Sequence, residues 1–128
     1  MLKKLGIETK LKNMSGHKFQ VEFDQPRYPK LIVDEEEPLG KGEGPNPVRL
    51  LSAAVGQCLS SSLIYCLDKA RVKVSGLETR VNMELVKCEQ GYWRIEGIGV
   101  KISLRVAEGD RCKVPRCLGL YEEYCTVT

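Results

Sequence analysis

NPVRLLSAAVGQCLSSSLIYCLD, residues Asn46 to Asp68, decides how the rest of the chain is read. Asn46 is a good N-cap and Pro47 suits the first helical position, where a missing N–H costs nothing, so a helix is expected to start here. Leu50, Leu51, Ala53, Ala54, Val55, Leu59, Leu63, Ile64 and Leu67 leave no broad polar face, the pattern of a helix buried on most sides. Cys58 sits in its middle, between Gly56 and the run Ser60-Ser61-Ser62. A thiol in such a helix reads first as a small hydrophobe, so any chemistry has to be argued from elsewhere in the chain.

Upstream, Leu5, Ile7, Thr9 and Leu11 alternate with polar residues between Lys3 and Lys12. Asn13-Met14-Ser15-Gly16 offers turn chemistry, and Phe19, Val21 and Phe23 alternate again, which gives an antiparallel hairpin with one face toward a core. Lys30 to Asp34 supplies a short third strand. Glu35 to Pro45 combines acidic residues, prolines and glycines and reads as a solvated loop. Its Gly42-x-Gly44 is not a dinucleotide fingerprint, because the glycines follow an acidic loop and the third glycine is absent.

Downstream, Lys69 to Val74 ends the helix and Ser75-Gly76 punctuates the passage into a strand. Leu77, Thr79, Val81, Met83 and Leu85 recur at period two, the mark of a long half-buried strand. Glu89-Gln90-Gly91 makes the turn. The return strand carries Trp93 and Ile95, then Ile98, Val100, Ile102 and Leu104, and its inward parity changes at Gly97, where a bulge is expected. Within Asp110 to Tyr124, Val114, Cys117, Leu118 and Tyr121 have helical spacing, which predicts a second helix ending near Cys125. Strands clustered in consecutive hairpins make antiparallel sheets, so the class is α+β, in a single domain over residues 1–128.

The net charge of +3 is the balance of 20 basic and 17 acidic side chains, with no long run of one sign, and nucleic acid is not an expected partner. Met1-Leu2-Lys3-Lys4 is followed by no long apolar core and no stretch is read as membrane-spanning, so a cytoplasmic protein without membrane attachment is expected. The six cysteines fall at 58, 66, 88, 112, 117 and 125. Cys58 and Cys66 stand about 12 Å apart along one helix, too far to bridge. Cys112 and Cys117 lack C-x-x-C spacing and His17 is distant and turn-like, so no metal is expected.

Two segments carry a family resemblance. DEEEPLGKGEGPNPVRLLSAAVGQCLSSSL, residues 34–63, resembles the central segment of the OsmC/Ohr family: an acidic strand end, a Gly-rich loop, Asn-Pro and a helix bearing a cysteine. YEEYCTVT, residues 121–128, resembles that family's second cysteine motif, Cys-x-Val-Ser/Thr. The resemblance implies a two-layer α+β fold, with antiparallel sheets around a long central helix, assembled as an intertwined homodimer. It also implies a peroxidase acting on organic hydroperoxides without a cofactor, with Cys58 as the peroxidatic thiolate, Cys125 as the resolving thiol, and a dithiol as reductant. The alternative is a non-enzymatic or redox-sensing member that binds a small apolar ligand in the dimer cleft.

The sequence departs from the pattern in places. A peroxidatic thiolate needs a cation or hydrogen-bond donors, and Cys58 lies well beyond the first turn of its helix, where the helix N-terminus no longer helps. The family's peroxidases use an arginine held by a glutamate. The glutamate position is Val48 here, and no arginine stands near Glu37-Pro38. Arg27 or Lys41, from a loop or across a dimer interface, and Arg49 of the partner subunit are the candidate cations. On its own helix Arg49 points about 180° from Cys58. Family members also continue past this motif into a final strand, so with Thr128 so near Cys125 one sheet edge is expected to come from a partner.

Overall fold

The structure is a computed structural model that describes residues 2–127. Asn46 caps the principal helix α1 (Pro47–Lys69): its Oδ1 accepts the Arg49 N–H at 3.0 Å, the bond that an N-cap makes to the third helical residue. The other end closes as a Schellman motif. Arg71 adopts a left-handed φ of 59°, Val72 N–H bonds the Leu67 carbonyl at 2.9 Å, and Arg71 N–H bonds that of Asp68 at 3.0 Å. Val72 and Leu67, both fully buried, make the apolar contact that accompanies this cap.

The chain divides into two compact units, one running to Leu50 and the other starting at Leu51. In the first, β1 (Lys10–Ser15), β2 (Lys18–Glu22) and β3 (Leu31–Val33) form an antiparallel sheet in that order, with Gly16 and His17 at the first turn. The strand begins at Lys10 rather than Lys3. Alternation at Leu5 and Ile7 makes a strand only where a neighbour supplies hydrogen bonds, and the ladder with β2 starts at Lys10 opposite Glu22. β1 is exposed along its length, so the expected core-facing side is missing from it; Val21 and Val33 are the buried apolar residues of this sheet.

The acidic, glycine-rich segment is more ordered than a solvated loop. It wraps the buried carboxylate of Asp34, which accepts backbone N–H groups from Glu35 at 2.8 Å and from Lys41 and Glu43 at 3.2 Å each. Gly40 packs so tightly there that a Cβ would run into the Glu35 carbonyl and the Asp34 carboxylate. A Lys18–Glu43 ion pair at 2.7 Å ties the loop to β2.

In the second unit β4 (Val74–Lys87) and β5 (Trp93–Val106) pair antiparallel over their whole length. The inward set on β4 alternates as the sequence indicates, from Leu77 to Met83. Glu84 faces Gly97 while Leu85 faces Ile95, so Glu96 is the extra residue of a bulge beside Gly97. One stripe of α1 lies on this hairpin: Leu63 and Leu67 pack with Leu77, Ile102 and Leu104, and Val55 and Leu59 with Val100. Ser60 Oγ donates to the Gly56 carbonyl at 2.7 Å and is hydrogen-bonded to Thr79 Oγ1, which pins the helix to β4.

Burial of α1 is confined to that stripe, not spread over most sides, because the hairpin covers one face; Leu51 and Ile64 on other faces are exposed. By length and composition alone α1 could cross a membrane, which the sequence reading did not anticipate. Its packing on the hairpin is that of a core helix. The expected second helix is broken into a 3-10 turn (Glu108–Lys113), the short α2 (Val114–Leu118) and another 3-10 turn (Tyr121–Tyr124). Pro115 has no N–H to continue a helix begun earlier, and Gly119 caps the five residues that follow Lys113. Cys117 is buried as its spacing indicates, but Leu118 is 53% exposed.

Candidate functional site

Cys58 comes to its position on α1 between the buried residues Val55 and Leu59. Cys125 arrives from the C-terminal side, where the 3-10 turn ends and Cys125 N–H bonds the Glu122 carbonyl at 3.2 Å. Tyr121 packs against both apolar clusters of the unit and anchors this turn. The outcome is a thiol pair: Cys125 Sγ lies 2.7 Å from Cys58 Sγ, across 67 residues of sequence. Both are reduced. A disulfide bond is about 2.05 Å long, so the sulfurs are within a small displacement of bonding.

An open cleft of about 500 Å³ adjoins the pair, lined by Cys58, Ser61, Ser62, Tyr65, Tyr124 and Thr126. Ser62 Oγ donates to the Cys58 carbonyl at 2.8 Å, a bond back along the helix that fixes the serine beside the cysteine. Tyr65 and Tyr124 meet edge to face with centroids 5.3 Å apart, and Lys69 Nζ sits 4.7 Å from the Tyr65 ring centroid. Hydrogen bonding to Tyr65, with its charge, holds the Lys69 ammonium above its ordinary pKa. The sequence reading passed over Tyr65, Lys69 and Tyr124. A signal was present: Tyr65 follows Cys58 by two helical turns, Lys69 follows Tyr65 by one, and Tyr124 precedes Cys125.

The candidate cations are placed in the first unit. Arg27 lies in the turn after β2, its guanidinium 5.3 Å from the Tyr28 ring centroid. Arg49 forms an ion pair with Glu36. Lys41 gives its backbone N–H to Asp34. Desolvation acts to raise the Asp34 pKa, but the N–H groups of Glu43, Glu35 and Lys41 and the Lys18 charge outweigh it and hold the carboxyl below its ordinary value.

The other cysteines fall into different surroundings. Cys66 and Cys117 are buried together in the larger apolar cluster, and burial, reinforced by a hydrogen bond with Cys66, pushes the Cys117 thiol up to about 11 despite Arg116. Cys112 is exposed and Cys88 half-buried. Among the described residues no group of three or more His, Cys, Asp or Glu side chains converges on a metal position.

The comparisons with known proteins agree with this architecture. Residues 40–128 match the family model described as OsmC-like protein. No curated protein matches the chain in sequence. Among solved structures, an OsmC-like protein of unknown function from Vibrio cholerae superposes with a TM-score of 0.81 at 13% identity, covering 97% of this chain and 92% of that one. An organic hydroperoxide resistance protein, OsmC, from Legionella pneumophila gives 0.66 at 17%, over 96% and 86%. The organic hydroperoxide resistance protein OhrB of Bacillus subtilis gives 0.61 at 19%, over 95% and 87%. Identities this low establish the shared fold, while the family model spans well over half of the sequence. The chain is a member of the OsmC-like protein family.

Proposed function

We propose that this protein is a cysteine-based peroxidase that reduces organic hydroperoxides. The observation that carries the reading is the 2.7 Å approach of Cys58 and Cys125 beside an open, partly aromatic cleft. In the proposed cycle the Cys58 thiolate attacks the terminal peroxide oxygen, the O–O bond breaks, and the alkoxide leaves and takes a proton as the alcohol. Cys58 is left as a sulfenic acid. The Cys125 sulfur attacks it, forming the disulfide and releasing water, and a dithiol reductant restores both thiols by exchange. No resident cofactor or metal enters the cycle.

The active assembly is a homodimer in the cytoplasm. Exposed Leu51 and Ile64 on α1, and Leu11 and Met14 on β1, are the apolar surface that supports a second copy. The activating cation is Arg27 or Arg49, by way of that assembly. The uncharged lining of the cleft favours one other reading, a redox-sensing member that holds a small apolar ligand and does not turn over.

Consumption of cumene hydroperoxide with a dithiol reductant separates the two. The peroxidase reading expects turnover by the wild type, none by Cys58→Ser, and stalling after one turnover in Cys125→Ser. A wild type as inert as Cys58→Ser leaves the sensing role.

A further inference from the structure

Cys125 is followed by a segment without regular structure, so something other than a helix or strand must keep its sulfur over Cys58. The aromatic contact next to the cleft is placed to do so. Tyr65 belongs to the same helix as Cys58, and Tyr124 is the residue before Cys125. Their rings meet edge to face at 5.3 Å and 70°, and Lys69 Nζ lies 4.7 Å from one centroid and 5.9 Å from the other. A single ammonium is thus attracted to a ring on each side of the gap that the two cysteines span.

We propose that Lys69 is a positioning residue: by bridging Tyr65 on α1 to Tyr124 in the C-terminal turn, it clamps Cys125 against Cys58 and sets how readily the two thiols join. The clamp acts on closure of the pair, whatever the oxidant, and so goes beyond the peroxidase reading. The raised pKa of Lys69 keeps its ammonium charged throughout the neutral range. Tyr65, Lys69 and Tyr124 are all exposed, so changing them leaves the apolar core intact.

Closure can be measured without peroxide. In a glutathione buffer the Cys58 or Cys125 thiolate attacks oxidised glutathione and expels one glutathione thiolate. The second cysteine then attacks the mixed disulfide, forms the Cys58–Cys125 bond and releases the other glutathione. The equilibrium constant is the effective concentration of one thiol at the other.

The test is to equilibrate wild type, Lys69→Met, Lys69→Arg, Tyr124→Leu and Tyr124→Phe in such buffers and quantify the 58–125 disulfide by mass spectrometry. Lys69→Met and Tyr124→Leu are expected to lower the constant about tenfold, the scale of one lost cation–ring contact. Lys69→Arg and Tyr124→Phe, which keep a cation and a ring, are expected to stay within about twofold of wild type. A merely structural role for the lysine stem would leave Lys69→Met unchanged. That result, or Lys69→Arg falling as far as Lys69→Met, overturns the clamp. Cumene hydroperoxide consumption by the same proteins judges the peroxidase reading separately, since an inert wild type that still closes its disulfide with glutathione refutes that reading alone.

Discussion

Val81 occupies the space over Gly56: a Cβ on Gly56 would meet Val81 Cγ2 at 2.7 Å. The helix therefore lies on β4 at a separation that only glycine permits, one turn before the serines that flank the cleft. A branched valine on a paired strand has little room to move aside. Overpacking of this kind costs about 1–3 kcal/mol, against a return of up to about 1 kcal/mol from the better helix propensity of alanine. Gly56→Ala is expected to lose about 1–2 kcal/mol in urea unfolding. A stabilised variant would show that the helix is not held this close.

Arg71 holds a left-handed conformation that a non-glycine residue adopts at some cost, and glycine is the usual residue at that position of a Schellman cap. Arg71→Gly is expected to raise stability by about 0.5–1 kcal/mol, read as an increase in the midpoint of chemical unfolding. An unchanged or lower midpoint would mean that the arginine side chain contributes more than its backbone costs.

Asp34 organises the loop as a carboxylate, and its folded pKa lies below the ordinary value. The sign follows: its contribution is fully present above the ordinary aspartate range, near pH ~3.9, and is lost as pH falls through the lower folded value. Asp34→Asn turns an acceptor for several N–H groups into a mixed donor and acceptor. Faster hydrogen exchange at the Lys41 and Glu43 amides is expected at pH 7, with the difference from wild type closing well below pH ~4. Equal protection at neutral pH would contradict the assigned role.

The thiols should differ in reactivity by their surroundings. Cys112 is exposed, whereas Cys117 is buried against Cys66 with its pKa pushed up to about 11. At pH 8 only about one Cys117 in a thousand is a thiolate, so iodoacetamide is expected to label Cys112 and spare Cys117 in the native protein. Labelling of Cys117 should rise only toward pH 11 or on unfolding. Equal rates at pH 8 would place Cys117 outside the core.

Local chemistry made much of this legible. Asn46 and Pro47 announce the start of α1, period two gives β4, and the change of parity at Gly97 marks the bulge to within one residue. Where the reading failed, a non-local partner decided. The alternation at Leu5 and Ile7 finds no strand to pair with, and the helical spacing from Val114 to Tyr121 is interrupted at Pro115 and Gly119. Asp34 is an unremarkable strand-end acid until the loop folds over it. The approach of Cys58 to Cys125 was expected from the family resemblance, because no periodicity relates residues so far apart, and the Tyr65–Lys69–Tyr124 contact is equally invisible in spacing alone.

The most direct measurement is a thiol count and disulfide map of the reduced protein after one equivalent of cumene hydroperoxide. The account predicts the loss of two thiols and a single new linkage between Cys58 and Cys125, with a trappable sulfenic acid at Cys58 in Cys125→Ser. All six thiols surviving, or a linkage that joins any other pair, would contradict it.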